Sequence, residues 1–200
     1  MRRPHYTITP REVQLHAAQV CQERLKLRDH GPKCRASVLF ALLCYAAARI
    51  TSIAAACKAL RDAPSDQAVR DALLATLPQT HELQRRVNGA LAGDLPQALR
   101  RQRQQLAIDL VLVPYHGQPL EDEAEVYRSQ PKCGTSHFHA YATAYVVRKG
   151  QRFTVALTFV SKGEALHEVI QRLLRQAAKA GIRPRCLLLD RGFYSVAVIR

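Results

Sequence analysis

In the first half of the chain, apolar residues recur every three or four positions. In the second half they alternate or run together, and the change falls near residue 104. Thr9-Pro10-Arg11-Glu12 reads as a helix start, with a capping residue and Pro at the first turn. Val13, Leu15, Ala17, Val20, Cys21, Leu25 and Leu27 follow at loosely helical spacing to about Arg28, where Asp29-His30-Gly31-Pro32 is a stop. Ser37 to Arg49 is apolar almost all round and is expected to be the buried helix. Thr51-Ser52 caps a short helix over Ile53–Leu60, and Ser65 or Asp66 caps the next, to about Thr76. Pro78 breaks the pattern before a last helix from about Gln79 to Ala92.

Leu106-Ala107-Ile108-Asp109-Leu110-Val111-Leu112-Val113 is a continuous apolar run holding one carboxylate, the pattern of a central strand covered on both faces. Pro114-Tyr115-His116-Gly117 ends it, and a charged loop follows with Glu121, Asp122, Glu123 and Glu125. Phe138–Val147 and Phe153–Val160 alternate as two strands joined by a hairpin at Lys149-Gly150. Glu164–Lys179 is an amphipathic helix with Leu166, Val169, Ile170, Leu173 and Leu174 on one face. Cys186-Leu187-Leu188-Leu189-Asp190 is another buried-type strand, and a new helix is expected to start at Val196. The fold class expected is therefore α+β or α/β: an N-terminal all-helical bundle over 1–96, a basic linker over 97–104, and a mixed β-sheet with a crossover helix over 105–200.

Composition changes this picture in two ways. Among 200 residues, 30 Lys and Arg face 16 Asp and Glu, a net charge of +14, so a polyanion is the expected partner, and nucleic acid the commonest one. The excess is spread, +9 over residues 1–104 and +5 over 105–200. The six cysteines contain no CxxC pair, and Cys44 and Cys57 lie in Ala/Leu-rich stretches, so they are expected to be reduced core thiols. The start, MRRPHYTITPREVQ, has no apolar signal region, and the longest apolar run, Val38–Ala48, is too short to span a bilayer. A cytoplasmic, nucleoid-associated protein with no membrane partner is expected.

The chemistry rests on two aspartates. A single Asp at a strand end ordinarily bonds to backbone amides at a turn. Here Asp109 and Asp190 each sit at an apolar strand, and a right-handed crossover through helix 164–179 would make those strands parallel neighbours. Two carboxylates that close repel each other, and a divalent cation of the Mg²⁺ or Mn²⁺ kind removes the repulsion. Two such ions about 4 Å apart serve phosphodiester chemistry.

The stretches Ile108-Asp109-Leu110, Val113-Pro114-Tyr115-His116-Gly117, Gly134-Thr135-Ser136-His137-Phe138-His139 continuing to Tyr145, and Leu189-Asp190-Arg191-Gly192-Phe193-Tyr194-Ser195 resemble the DDE transposases of prokaryotic insertion sequences. The resemblance covers about residues 105–200 and is most specific at Asp190–Ser195. It implies an RNase H-like catalytic domain, DNA cleavage and strand transfer at element ends, and Mg²⁺ or Mn²⁺ held by Asp, Asp and Glu. By that match Asp109 is the first catalytic acid and Asp190 the second. It also implies that the helical part binds double-stranded DNA and that the complete protein is a homo-oligomer. The family's third acid is a Glu on a later helix; ten residues follow Asp190 and none is Glu, so a C-terminally truncated element is expected. The incomplete sheet would leave an exposed edge and apolar face, and poor solubility is expected of the chain alone.

Other residues are weaker candidates. The segments 51–60 and 65–76 have helix-turn-helix dimensions, with Gln67 and Arg70 outward, as many small bundles without DNA do. Arg100, Arg101 and Arg103 suit either a linker or a phosphate contact, and Arg191 and His116 suit a phosphate contact or an ordinary surface role. Cys133, His137 and His139 are zinc-type ligands without finger spacing or an evident fourth partner. No GxxxxGK(S/T) loop occurs, so no nucleotide cofactor is expected. Two rivals to the transposase are a DNA-binding protein without catalysis and a structure-selective nuclease on the same fold.

Overall fold

The computed structural model describes residues 8–117, 125–193 and 198. Most of the acidic loop and the helix expected from Val196 lie outside the described residues. The chain divides into two compact units, Met1–Arg86 and Val87–Arg200.

The first unit is helical: α1 (Pro10–Leu25), α2 (Ala36–Arg49), α3 (Ile53–Ala59), α4 (Asp66–Thr76) and the start of α5 (Thr80–Gly93). Each start has a local cause. At α1 the Glu12 amide donates to Thr9 Oγ1 at 3.3 Å and the Thr9 amide donates to the Glu12 carboxylate at 2.8 Å, a reciprocal capping box. The Asp29-His30-Gly31-Pro32 stop also starts the next helix. Gly31 turns the chain at φ 73°, the His30 amide donates to the Cys34 carbonyl at 2.9 Å, and Asp29 accepts from the first α2 amide, Ala36, at 2.8 Å. Ser52 and Ser65 cap α3 and α4. Leu39, Phe40 and Leu42 of α2 are fully buried, with Ala56, Val69, Ala72 and Leu73 around them. The stripe expected on α1 is only partly used: Cys21 and Leu25 meet this core, while Val13 and Leu15 are exposed.

No single helix among the described residues is long and apolar enough to cross a membrane. Cys34 is buried, and burial pushes the Cys21 and Cys57 thiols up, helped by Cys44 and Asp66 respectively. Cys133 and Cys186 are exposed, so the expectation of core thiols fails for those two, which lie in a turn and on an edge strand.

The second unit is a five-stranded mixed sheet with helix packed on one face. Its strands are β1 (Gln104–Pro114), β2 (Tyr127–Lys132), β3 (Thr135–Arg148), β4 (Gln151–Val160) and β5 (Pro184–Leu189). β1 is antiparallel to β3 and parallel to β5, and β3 is antiparallel to β4 and β2. The helix α7 (Leu166–Lys179) connects β4 to β5, as a parallel pairing requires. It buries Val169, Ile170, Leu173 and Ala177 against the sheet. The facing row of β3 is Ala140, Ala142, Ala144 and Val146, all buried. Ile108 of β1 and Ala156 of β4 flank Ala144 in register. Small side chains on the middle strand leave room for the larger ones of α7, which is how a sheet and a helix fill one layer without voids.

The division between units falls inside α5, earlier than the boundary expected after residue 96. Residues 97–104 are not a linker. Gln97–Arg101 forms α6, Leu95 and Leu99 are buried in the sheet's core, and Gln104 opens β1. Two buried leucines four residues apart, Leu95 and Leu99, explain why this segment packs with the sheet. The Asn88 side chain, from α5, accepts from the Leu157 amide at 2.9 Å and donates to its carbonyl at 2.8 Å, which satisfies part of the open edge of β4.

Arg172 ties α7 to the end of β4. Its Nε donates to the buried Thr158 hydroxyl at 2.6 Å and one Nη to the Phe159 carbonyl at 2.8 Å, and both Nη atoms reach the Glu164 carboxylate. The Ser161 amide also donates to Glu164. Burial alone would raise the Glu164 carboxyl, but the hydrogen bonds from Arg172 and Ser161 outweigh it and hold the group below its ordinary range.

Two stability measurements test this packing. Ala144→Leu inserts volume into a filled layer and is expected to destabilise the sheet unit by about 1–3 kcal/mol in urea unfolding. Glu164→Gln is expected to cost about 1–3 kcal/mol at pH 7 by leaving Arg172 under-satisfied. Because the folded carboxyl lies below its unfolded value of about 4.3, its stabilisation is present above that pH and is lost as pH falls through the folded value. The gap between the two proteins should therefore narrow in unfolding curves taken at progressively lower pH below about 4.

Candidate functional site

β1 has two faces. Leu106, Ile108, Leu110 and Leu112 pack toward the core, and Asp109 alternates onto the other face with Ala107, Val111 and Val113. In the parallel pair, Leu106 is in register with Leu187, Ala107 with Leu188 and Ile108 with Leu189. The next residue on each chain is Asp109 and Asp190. Adjacent strands lie about 4.8 Å apart, so continuing that register one step past the end of β5 would bring the two residues to neighbouring backbone positions. A single 3-10 turn, Arg191–Phe193, begins directly after Asp190. In it the Phe193 amide donates to the Asp190 carbonyl at 2.9 Å, and the Phe193 side chain is fully buried.

The expectation of buried carboxylates in doubly covered strands is corrected here. The Asp109 side chain is 46% exposed and Asp190 is exposed. On the same face Val111, Val113 and Leu188 are also exposed. α7 covers only the inner face, so the apolar run of β1 reports one buried face and one open one.

Along β3 the outward row is His137, His139, Tyr141, Thr143 and Tyr145, alternating with the buried Phe138, Ala140, Ala142 and Ala144. Thr143 lies opposite Asp109. Arg152 of β4 reaches the same area: its guanidinium carbon is 3.5 Å from the centre of the Tyr145 ring and its Nη2 is 3.9 Å from Asp109 Oδ2. Burial, followed by the Glu125 carboxylate, pushes the Tyr141 phenol up, so it stays a neutral donor.

His139 lies opposite Val113, four residues along β1 from Asp109, or about 13 Å. His116 lies further still, beyond the end of β1, and is exposed. The histidines therefore belong to a separate end of the sheet. There Thr135 Oγ1 donates to the Tyr115 carbonyl at 2.9 Å, the Tyr115 amide donates to the His137 carbonyl at 2.9 Å, and the Tyr115 and His139 rings are 4.8 Å apart. A side chain at Gly117 would meet the Tyr115 hydroxyl at 2.7 Å, so any larger residue there would have to push the Tyr115 ring aside. Among the described residues no group of three His, Cys, Asp or Glu converges to hold a metal, which includes Cys133, His137 and His139. A pair of carboxylates is nonetheless a donor set that suits Mg²⁺ or Mn²⁺, which keep water and substrate oxygens as their remaining ligands.

The basic candidates separate by role. Arg100 is not a phosphate contact: its Nη2 donates to the Ala92 carbonyl at 2.7 Å and its Nε to the Ala180 carbonyl at 3.2 Å, and its stem lies against Gly181. Arg101 and Arg103 are exposed. The Arg191 side chain lies outside the described residues. Arg70 faces outward on α4 as expected, yet it is 3.5 Å from Asp66, and Gln67 donates to Asp71 at 2.8 Å. Two carboxylates thus share the face expected to meet DNA. The six residues Leu60–Ser65 between α3 and α4 also exceed the three or four typical of a helix-turn-helix.

Sequence reasoning missed another cluster in the helical unit. Lys26, Arg28 and Arg86 line a cleft of about 510 Å³ with Ala75, Thr76 and Pro78, and no carboxylate lines it. Arg86 is fixed there by its bonds to Glu82 and to the Leu25 carbonyl at 2.7 Å each. Among the described residues no carboxylate pairs with Lys26 or Arg28. Lys26 and Arg28 are close in sequence, but Arg86 is far from both, and only the fold gathers them.

Arg100→Gln is expected to lower stability by about 1–2 kcal/mol, measured by denaturant unfolding, and to leave the salt dependence of nucleic-acid binding unchanged.

No protein-family model matches the chain, and no curated protein and no solved structure matches it.

Proposed function

We propose that this chain is part of a metal-dependent, DNA-cutting and -joining protein of the transposase kind, with Asp109 and Asp190 as its cation ligands. The observation that carries the reading is the parallel register of β1 and β5, which pairs Ile108 with Leu189 immediately before Asp109 and Asp190, in a chain of net charge +14. The strand order β4-β3-β1-β5, an antiparallel trio followed by a crossover helix and a parallel strand, supports an RNase H-like reading of this unit.

In this reading Asp109 and Asp190 would hold Mg²⁺ or Mn²⁺, which would supply Lewis acidity for phosphodiester chemistry. The protein's own contribution is rigidity. Asp109 is fixed by strand pairing on both edges of β1, and Asp190 is fixed at a strand end by the buried Phe193. The open face leaves room for a duplex to approach. Lys26, Arg28 and Arg86 of the helical unit offer a second seat for a phosphate backbone.

A second reading, DNA binding without cleavage, is supported by one observation: among the described residues no group of three His, Cys, Asp or Glu comes together. Mn²⁺ titration followed by electron paramagnetic resonance tests the proposal. Asp109→Asn and Asp190→Asn are each expected to weaken Mn²⁺ binding at least about tenfold, with circular dichroism unchanged. Unchanged Mn²⁺ affinity in both variants overturns the metal site. Duplex binding retained in EDTA, with no strand cut in Mg²⁺, selects the second reading.

A further inference from the structure

We propose that Arg152, seated on Tyr145 beside Asp109, is a phosphate-binding residue for the nucleic acid that approaches this face. The inference rests on the nucleic-acid reading above and adds a named contact to it.

Among the described residues the second unit shows two arginine–carboxylate pairs, and they differ in kind. Arg172 spends its donors on Glu164, Thr158 and Phe159 in a closed, half-buried cluster. Arg152 does not. Its approach to Asp109, 3.9 Å, is longer than a hydrogen bond, and among the described residues it makes none. What sets its position is the Tyr145 ring at 3.5 Å. Arg152 is 56% exposed, so a guanidinium held by one flat face leaves its edge N–H groups toward solvent.

The surroundings match a phosphodiester. Thr143 lies opposite Asp109 and Thr154 opposite Tyr145, so both hydroxyls share this face with Arg152. A fork of N–H donors with nearby hydroxyls suits the non-bridging oxygens of a phosphate. The guanidinium also stands close enough to Asp109 to lessen the repulsion between that carboxylate and an incoming polyanion. An arginine serving only as counter-ion to Asp109 would instead close on it in a bidentate pair, as Arg172 does on Glu164.

Fluorescence anisotropy of a labelled duplex with the whole chain, over a salt series in EDTA, tests this. Arg152→Gln is expected to weaken binding about 5–10-fold at 0.1 M salt and to lower the slope of log K against log salt by about one. Arg152→Lys should keep the slope while losing part of the affinity, because a point charge neither stacks on Tyr145 nor offers a fork. Arg61→Gln, at an exposed site beside Asp62 in the helical unit, serves as comparison. A slope for Arg152→Gln equal to that of Arg61→Gln, with the fold intact by circular dichroism, overturns the proposal. So does an Arg152→Gln variant that gains Mn²⁺ affinity with an unchanged DNA slope, since that is the behaviour of a counter-ion. If Asp109→Asn loses Mn²⁺ while Arg152→Gln leaves the slope unchanged, the metal site stands and this inference alone falls. If the unmodified chain binds no duplex, both fall.

Discussion

β1 is hydrogen-bonded along both edges, antiparallel to β3 and parallel to β5, and the rest of the second unit is arranged around that strand. A parallel neighbour cannot be reached by a hairpin, so the chain must cross over the sheet, and α7 is that crossover. A crossover helix needs a face to lie on. Alanines at 140, 142 and 144 supply one that the side chains of α7 can fill. The same parallel pairing joins Ile108 to Leu189, the residues just before Asp109 and Asp190, so packing and candidate chemistry draw on one set of backbone bonds.

The two arginine–carboxylate pairs of this unit show how environment assigns a role. Glu164 and Arg172 are shielded and multiply hydrogen-bonded, and their charges hold the end of β4 to α7. Asp109 and Arg152 stand on the open face, further apart and without a shared hydrogen bond. In high dielectric such a pair adds little to stability, which leaves both groups available to a ligand.

Charge is shared evenly between the units, with 14 basic and 7 acidic residues in Met1–Arg86 and 16 and 9 in Val87–Arg200. Its local arrangement is not even. α4 carries Asp66 and Asp71 among its outward residues, whereas the cleft of Lys26, Arg28 and Arg86 has no carboxylate in its lining. The end of α4 itself, through Ala75 and Thr76, forms part of that cleft's lining.

Helices α1–α5 and α7, strands β1, β3, β4 and β5 and the change of class near residue 104 were legible because periodicity and caps are local, whereas β2 and α6, short and polar or basic, were not. Thr9 with Glu12, the serines at 52 and 65 and Gly31 act within a few residues of themselves. The parallel pairing of β1 with β5 was also readable, since a strand–helix–strand order leaves few ways to connect. What the local pattern left undecided is which faces stay open. An apolar run cannot say whether one side or both will be covered, and Asp109 proved half-exposed. Nor can a run of arginines show that Arg100 turns inward to the Ala92 and Ala180 carbonyls, or that Arg152 rests on Tyr145 beside Asp109. Those contacts join residues distant along the chain, and only tertiary packing brings such side chains within a few ångströms of one another.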